Sequence, residues 1–256
     1  MNDELNATAE KQMASHFRGG GDLDVLVDCF QRGWPLDNLY RFLDSDAPGD
    51  IECGIYILQN IGKKAKPFVH ALALIMNKGR LSHKYHGMEV LQSNADENDT
   101  FADWVLLSLV DFQMDENREE SLEFQYLFSA KAIHCLSLVT FSQLRGAKKY
   151  LTENKIDSPH LYAIDYYLEY YGHKEMIRKF MKNEETLHKK YAVAMASQHF
   201  SRDPHLLELA CEIDDATIRE YLAKWHCRPK DDAMPENANF RVEFEKTLTK
   251  GVNGWT

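Results

Sequence analysis

Eleven histidines and forty acidic residues are the side chains in this 256-residue chain whose types could carry chemistry. A metal centre needs three or four His, Cys or carboxylate groups converging on one point. His83 and His86, followed at the same step of three by Glu89, come closest to such a set. Side chains at successive steps of three drift around a helix instead of converging, so the pattern predicts exposed histidines and no metal ligands. Acid–base catalysis needs carboxylates whose surroundings push their pKa values apart. Asp115, Glu119 and Glu120 lie in a polar stretch that offers no burial. No Gly-rich phosphate loop, Gly-x-Ser-x-Gly elbow or Cys/His nucleophile signature occurs. The expectation is a protein with no catalytic residues, no metal and no cofactor.

The acidic groups are informative in another way, because they are unevenly spread. Between positions 94 and 124 lie Asp96, Glu97, Asp99, Asp103, Asp111, Asp115, Glu116, Glu119, Glu120 and Glu123, against Arg118 alone. That stretch holds −9 of the chain's formal charge of −10. A run of charge is by default a solvated face. A strong local negative field nevertheless repels phosphate and steers a basic partner. These ten carboxylates are therefore the expected partner-binding residues, for a basic protein and not for nucleic acid.

The elements that would position them emerge when the sequence is laid over itself. At an offset of 33, Leu36 falls on Val69, Leu39 on Leu72, Leu43 on Met76, Gly54 on Gly87, Leu58 on Leu91 and Gln59 on Gln92. Apolar residues at i, i+3 and i+7 in the first half of each copy mark one face of a helix. Each copy reads as a helix pair, too short to bury its own stripe, so that it must stack on neighbours. A third first helix is expected over 100–112, where Ala102, Val105 and Leu109 continue the stripe. Its partner comes late, since Ala132 to Leu136 matches Gly87 to Leu91 at an offset of 45. The 12 extra residues of that unit coincide with the densest acidic run, and insertions in repeat proteins map to loops on one face.

A small residue followed four positions later by Leu on the second helix, with Pro35 and Pro67 near the start of the first, resembles the HEAT and armadillo class of α-solenoid. The resemblance covers roughly residues 23–145, and its period is shorter than the usual HEAT length of about 40. It implies an all-α chain, a right-handed superhelical α-solenoid of short HEAT-like pairs. Some enzymes use this scaffold; the deoxyhypusine hydroxylases among them carry His-Glu steps, and no His-Glu dipeptide occurs here. The expected organisation is a flexible polar lead-in at 1–21, one solenoid domain at 22–228 and an unassigned tail at 229–256. Within the domain, units are expected at about 34–62, 66–94 and 100–141, followed by degenerate helices.

One of those later helices, 158–171, carries Tyr162, Tyr166 and Tyr170 at steps of four, off a buried face assigned to Leu161, Ile164, Leu168 and Tyr171. Such a stripe more often packs than binds, but Tyr is enriched at interface hot spots, which makes it a secondary candidate contact surface. The basic residues from Lys174 to Lys190 read as solvated faces. Five cysteines without a Cys-x-x-Cys pair read as reduced thiols, the N-terminus lacks an apolar signal region, and no apolar run reaches membrane-spanning length. A cytoplasmic protein away from the membrane is expected. An acidic chain of this kind is similar to the immunity proteins that neutralise bacterial toxins, which implies occlusion of a basic toxin by the acidic patch. The alternatives are a scaffold that holds a peptide on its Tyr and Leu faces, and an enzyme on a HEAT-like frame.

Overall fold

A computed structural model describes residues 3–96, 106–198 and 203–226, and all regular structure among them is helical. The chain divides into two compact units, 1–105 and 106–256, where one continuous domain over 22–228 was expected. The candidate residues Glu97, Asp99 and Asp103, the first half of the expected 100–112 helix, Cys227 and the 229–256 tail lie outside the described residues.

The first unit is three helix pairs. α1 (Asp3–His16) packs on α2 (Leu23–Gln31), α3 (Tyr40–Leu43) on α4 (Pro48–Asn60), and α5 (Val69–Lys78) on α6 (Leu81–Asn94). The second members lie side by side, α2 on α4 and α4 on α6. Polar bonds tie these neighbours together. Gln31 Nε2 donates to the Asn60 carbonyl (3.0 Å), Tyr56 Oη to Asp24 (2.7 Å), Gln59 Nε2 to the His86 carbonyl (2.7 Å) and Ser82 Oγ to Glu52 (2.7 Å). In each repeated copy the first helix begins as a 3₁₀ turn, Leu36–Leu39 and Gly62–Phe68, and runs on as an α-helix.

Residues 33 apart occupy matching places. Leu39 and Leu72, Leu43 and Met76, and Leu58 and Leu91 are all buried. The small residue of each second helix explains the closeness of the pair. A Cβ added at Gly54 would sit 2.9 Å from Leu43 Cδ2 and Phe42 Cβ, and one at Gly87 would sit 2.5 Å from Met76 Sδ and 3.3 Å from Leu72 Cδ1. Leu43 and Met76 are themselves 33 apart, so the same contact is built twice.

Residues 3–16, expected as part of a flexible lead-in, form a helix. Leu5, Ala9 and Met13, at steps of four, are buried against the unit, Asn6 Oδ1 accepts from Trp34 Nε1 (3.1 Å), and Glu10 pairs with Arg41 (3.1 Å). Three apolar residues are enough because each lands on the same stripe.

In the second unit, residues 106–110 end a helix and 111–121 form a loop before α7 (Leu122–Leu138), which starts at Ser121, whose Oγ accepts from Phe124 N (3.2 Å). α8 (Phe141–Glu153) opens with a Thr140/Gln143 capping box, and α9 (His160–Tyr170), α10 (Lys174–Met181), α11 (Thr186–Ser197), α12 (Pro204–Cys211) and α13 (Ala216–Trp225) follow. Asp203 and Asp215 cap the last two through bonds to His205 N (3.1 Å) and Ile218 N (2.9 Å). α11 is the centre: it packs on α7, α9, α10 and α12, and Leu187 and every residue from Lys190 to Ala196 are buried. No single described helix is long and apolar enough to cross a membrane; α7 and α8 pass that test only together, across a bend of 109°.

Replacing Gly54 by Ala is expected to destabilise the protein by about 1–3 kcal/mol, because Phe42 Cβ is fixed by its backbone and cannot yield. Gly87→Ala is expected to cost less, since the Met76 thioether can swing aside and Ala gains up to about 1 kcal/mol in helix propensity. Denaturant titration followed by circular dichroism would rank the two.

Candidate functional site

The acidic insertion is an ordered loop. It is built by Gln125, in the first turn of α7 and fully buried, whose amide bonds only to loop backbone. Its Oε1 accepts from Asp115 N (2.9 Å), and its Nε2 donates to the carbonyls of Asp115 (2.8 Å) and Glu120 (3.0 Å). Asp115 Oδ1 accepts from Asn117 N (2.9 Å), which closes the turn locally. Phe112 lies edge-on to buried Phe128 (4.7 Å between centroids), and the guanidinium of Arg118 stands 4.6 Å over the Phe112 ring. The one base of the acidic stretch thus faces an aromatic surface. Asp111, Asp115, Glu116, Glu119 and Glu123 are exposed and Glu120 is half-buried; among the described residues none of these six forms an ion pair. The remaining described member of the predicted patch, Asp96, belongs to the first unit, where it pairs with Lys66 (2.7 Å).

Beneath the loop lies a buried polar group of residues that the sequence reading assigned otherwise. Lys190, expected on a solvated face, is 5% exposed; its Nζ donates to the Val110 carbonyl (3.0 Å) and approaches Ser129 Oγ (3.5 Å). Burial pushes its ammonium pKa down, against the opposing charges of Asp215 and Asp111. On the next residue, Tyr191 Oη bonds to His160 Nδ1 (3.0 Å). Burial lowers His160 to about 4, and it raises Tyr191 well above its ordinary value, so the phenol keeps its proton and donates to a neutral imidazole. The helical period of 186–197 could have shown that Lys190 shares the apolar face, since Leu187, Val193 and Ala194 lie at its steps of three and four.

The tyrosine stripe divides. Tyr162 is 56% exposed and tilts against His188 (4.9 Å), whereas Tyr166 is 8% exposed, stacks on Phe180 (3.9 Å, 13°) and donates to the Met176 carbonyl (2.7 Å). Tyr170 lies against Tyr166 (4.7 Å). The buried face of α9 is His160, Ala163, Ile164, Tyr166 and Tyr167, not the expected set with Leu161, Leu168 and Tyr171. Tyr166 is therefore a packing residue, because α10 covers the side of α9 that the sequence left open. His83, expected at the surface, is likewise buried; its Nε2 lies 3.2 Å from the Pro48 carbonyl, while His86 is exposed.

The first unit carries a basic counterpart. Lys64 Nζ donates to the last carbonyls of α2, Phe30 (3.3 Å) and Gln31 (2.6 Å), and Lys63 Nζ donates to the Ser93 carbonyl at the end of α6. With Leu36, Lys66, Pro67, His70 and Asp96 they line an open pocket of about 640 Å3. Two helix C-termini, each equivalent to about half a negative charge, and Asp96 offset most of the three ammonium charges. The lysines are helix caps first and a weak anion surface second.

The depressed His160 value sets a pH response. The neutral imidazole is favoured in the fold, so its contribution is complete above the unfolded value of 6.5 and is lost as pH falls from 6.5 towards 4. Unfolding stability is expected to drop by up to about 3 kcal/mol across that window, and His160→Gln, which keeps an acceptor for Tyr191, is expected to flatten the slope in denaturant titrations at stepped pH. No known protein family, curated protein or solved structure matches this chain.

Proposed function

We propose that this chain acts by binding a basic protein, as an inhibitor of the immunity-protein kind, and that the loop of residues 111–121 with Glu123 is the contact. The carboxylates take the place of phosphate in a cationic groove, such as the active site of a toxin nuclease, and block it. One observation supports this above the rest: five carboxylates that form no ion pair among the described residues stand on a loop whose backbone is gripped from below by a fully buried glutamine, with Glu123 beside them on α7. A loop held in place before binding loses little conformational freedom on association. Its uncompensated charge accelerates encounter with a cationic partner and disfavours nucleic acid.

The architectural part of the proposal is that the helix pairs of the first unit stack as a short HEAT-like α-solenoid with right-handed superhelical sense. The side-by-side second helices and the twice-built glycine contact support it. A cytoplasmic setting belongs to the same proposal, in keeping with four described cysteines that are all free thiols, Cys29 and Cys135 buried.

The test is capture of the partner from native cells on tagged protein, with washes of rising salt and identification of the retained species by mass. A basic protein released by salt is the expected result. Charge reversal to Lys at Glu116, Glu119 and Glu120 is then expected to weaken binding at least about tenfold and to abolish its salt dependence; Asp115 is left intact because its carboxylate closes the turn. Unchanged affinity in the reversed protein would refute the loop as the contact.

A further inference from the structure

We infer that Lys190 is a positioning residue for the acidic loop, its buried ammonium fixing the loop's root through the Val110 carbonyl. The inference rests on the reading of that loop as a contact surface, and it follows from what Lys190 does and does not touch. The residue lies within the central helix α11, with buried neighbours from Tyr191 to Ala196 along the chain. Its bonds are to the Val110 carbonyl at 3.0 Å and, more loosely, to Ser129 Oγ at 3.5 Å. Among the described residues no carboxylate stands within ion-pair distance of it. An ammonium buried without a carboxylate costs folding energy, and an apolar side chain of the same length would fill the space without that cost. General stability is therefore a poor account of it.

Val110 is the last helical residue before the loop, and the final carbonyls of a helix lack partners within it. Phe112 N closes on the Leu109 carbonyl (3.2 Å), and Lys190 takes the next carbonyl. A cation at that position complements the helix dipole and, through Asp111, the first carboxylate of the loop. The titratable groups that act on this site are the carboxylates of Asp111 beside the loop root and Asp215 at the cap of α13 and, on α9, the neutral imidazole of His160, which bonds Tyr191. Gln125 grips the loop further along in the same manner. Gln125 bonds to the loop's backbone and Lys190 to the carbonyl at its root, so the loop is held in shape while its carboxylates stay free to face a partner.

The experiment compares wild-type protein with Lys190→Met by amide hydrogen exchange at Phe112, Asp115, Asn117 and Arg118, with Leu58 of α4 as the control. Exchange at the four loop amides is expected to rise by about tenfold or more, the loss of one charged hydrogen bond. Leu58 is expected to stay unchanged, and the cooperative unfolding midpoint to stay equal or rise. Unchanged loop exchange would overturn the inference. So would collapse of the protein in the Met variant, because Lys190 would then be supporting the core and not the loop. Retention of poly-L-lysine at low salt separates the two readings: a loosened loop with undiminished retention would leave the positioning role standing and remove the loop as the contact surface.

Discussion

The interior of the second unit is organised by one constraint: α11 is buried from Lys190 to Ala196, so every polar group on that stretch must find its partner inside the protein. An apolar helix meets that condition at no cost. This one brings a lysine and a tyrosine, and each recruits a specific acceptor, Val110 O for Lys190 and His160 for Tyr191. The positions of α9 and of the helix ending at residue 110 are thereby tied to the central helix by directional bonds as well as by packing. The loop that follows residue 110 inherits its starting point from that arrangement.

Electrostatics elsewhere on the chain follows a different pattern. Surface carboxylates such as Glu10, Asp96, Asp165 and Asp203 have cationic partners within 2.5–3.1 Å. Helix ends are matched by opposite charge, with Lys63 and Lys64 on the C-termini of α6 and α2. The 111–121 loop stands out because its carboxylates form no ion pair among the described residues, while its one arginine lies over an aromatic ring. Exposed ion pairs add little to stability. Their absence is therefore tolerable for the fold, and it leaves a concentrated negative field available to a partner.

The repeat was legible because packing at a fixed distance demands the same residue size at the same step. Gly54 and Gly87 are small since Leu43 and Met76 occupy the space where a side chain would begin, and both halves of that relation are visible at an offset of 33. The insertion was legible for the converse reason, as a break in that period. α1 escaped notice because its stripe of Leu5, Ala9 and Met13 is narrow and set among polar residues, and only contact with α2 reveals its depth. His83 was placed at the surface and Tyr166 off the buried face of its helix for a shared reason: a helix has more than one face, and which is covered depends on where the next helix lies.

The amino-acid sequence by itself determined the helical content, the matched pairs over 36–94 and the confinement of nearly all the net charge to one stretch, because these depend on local spacing and composition. Tertiary structure alone decided that the acidic loop is held from below by Gln125 and at its root by Lys190, that its five carboxylates form no ion pair among the described residues and that Tyr166 is covered. Those outcomes depend on long-range neighbours, as in the bond from Lys190 to Val110, 80 residues apart in the chain. Burial and hydrogen bonding are properties of such pairs, and the spacing of residue types along the chain does not show which of them meet.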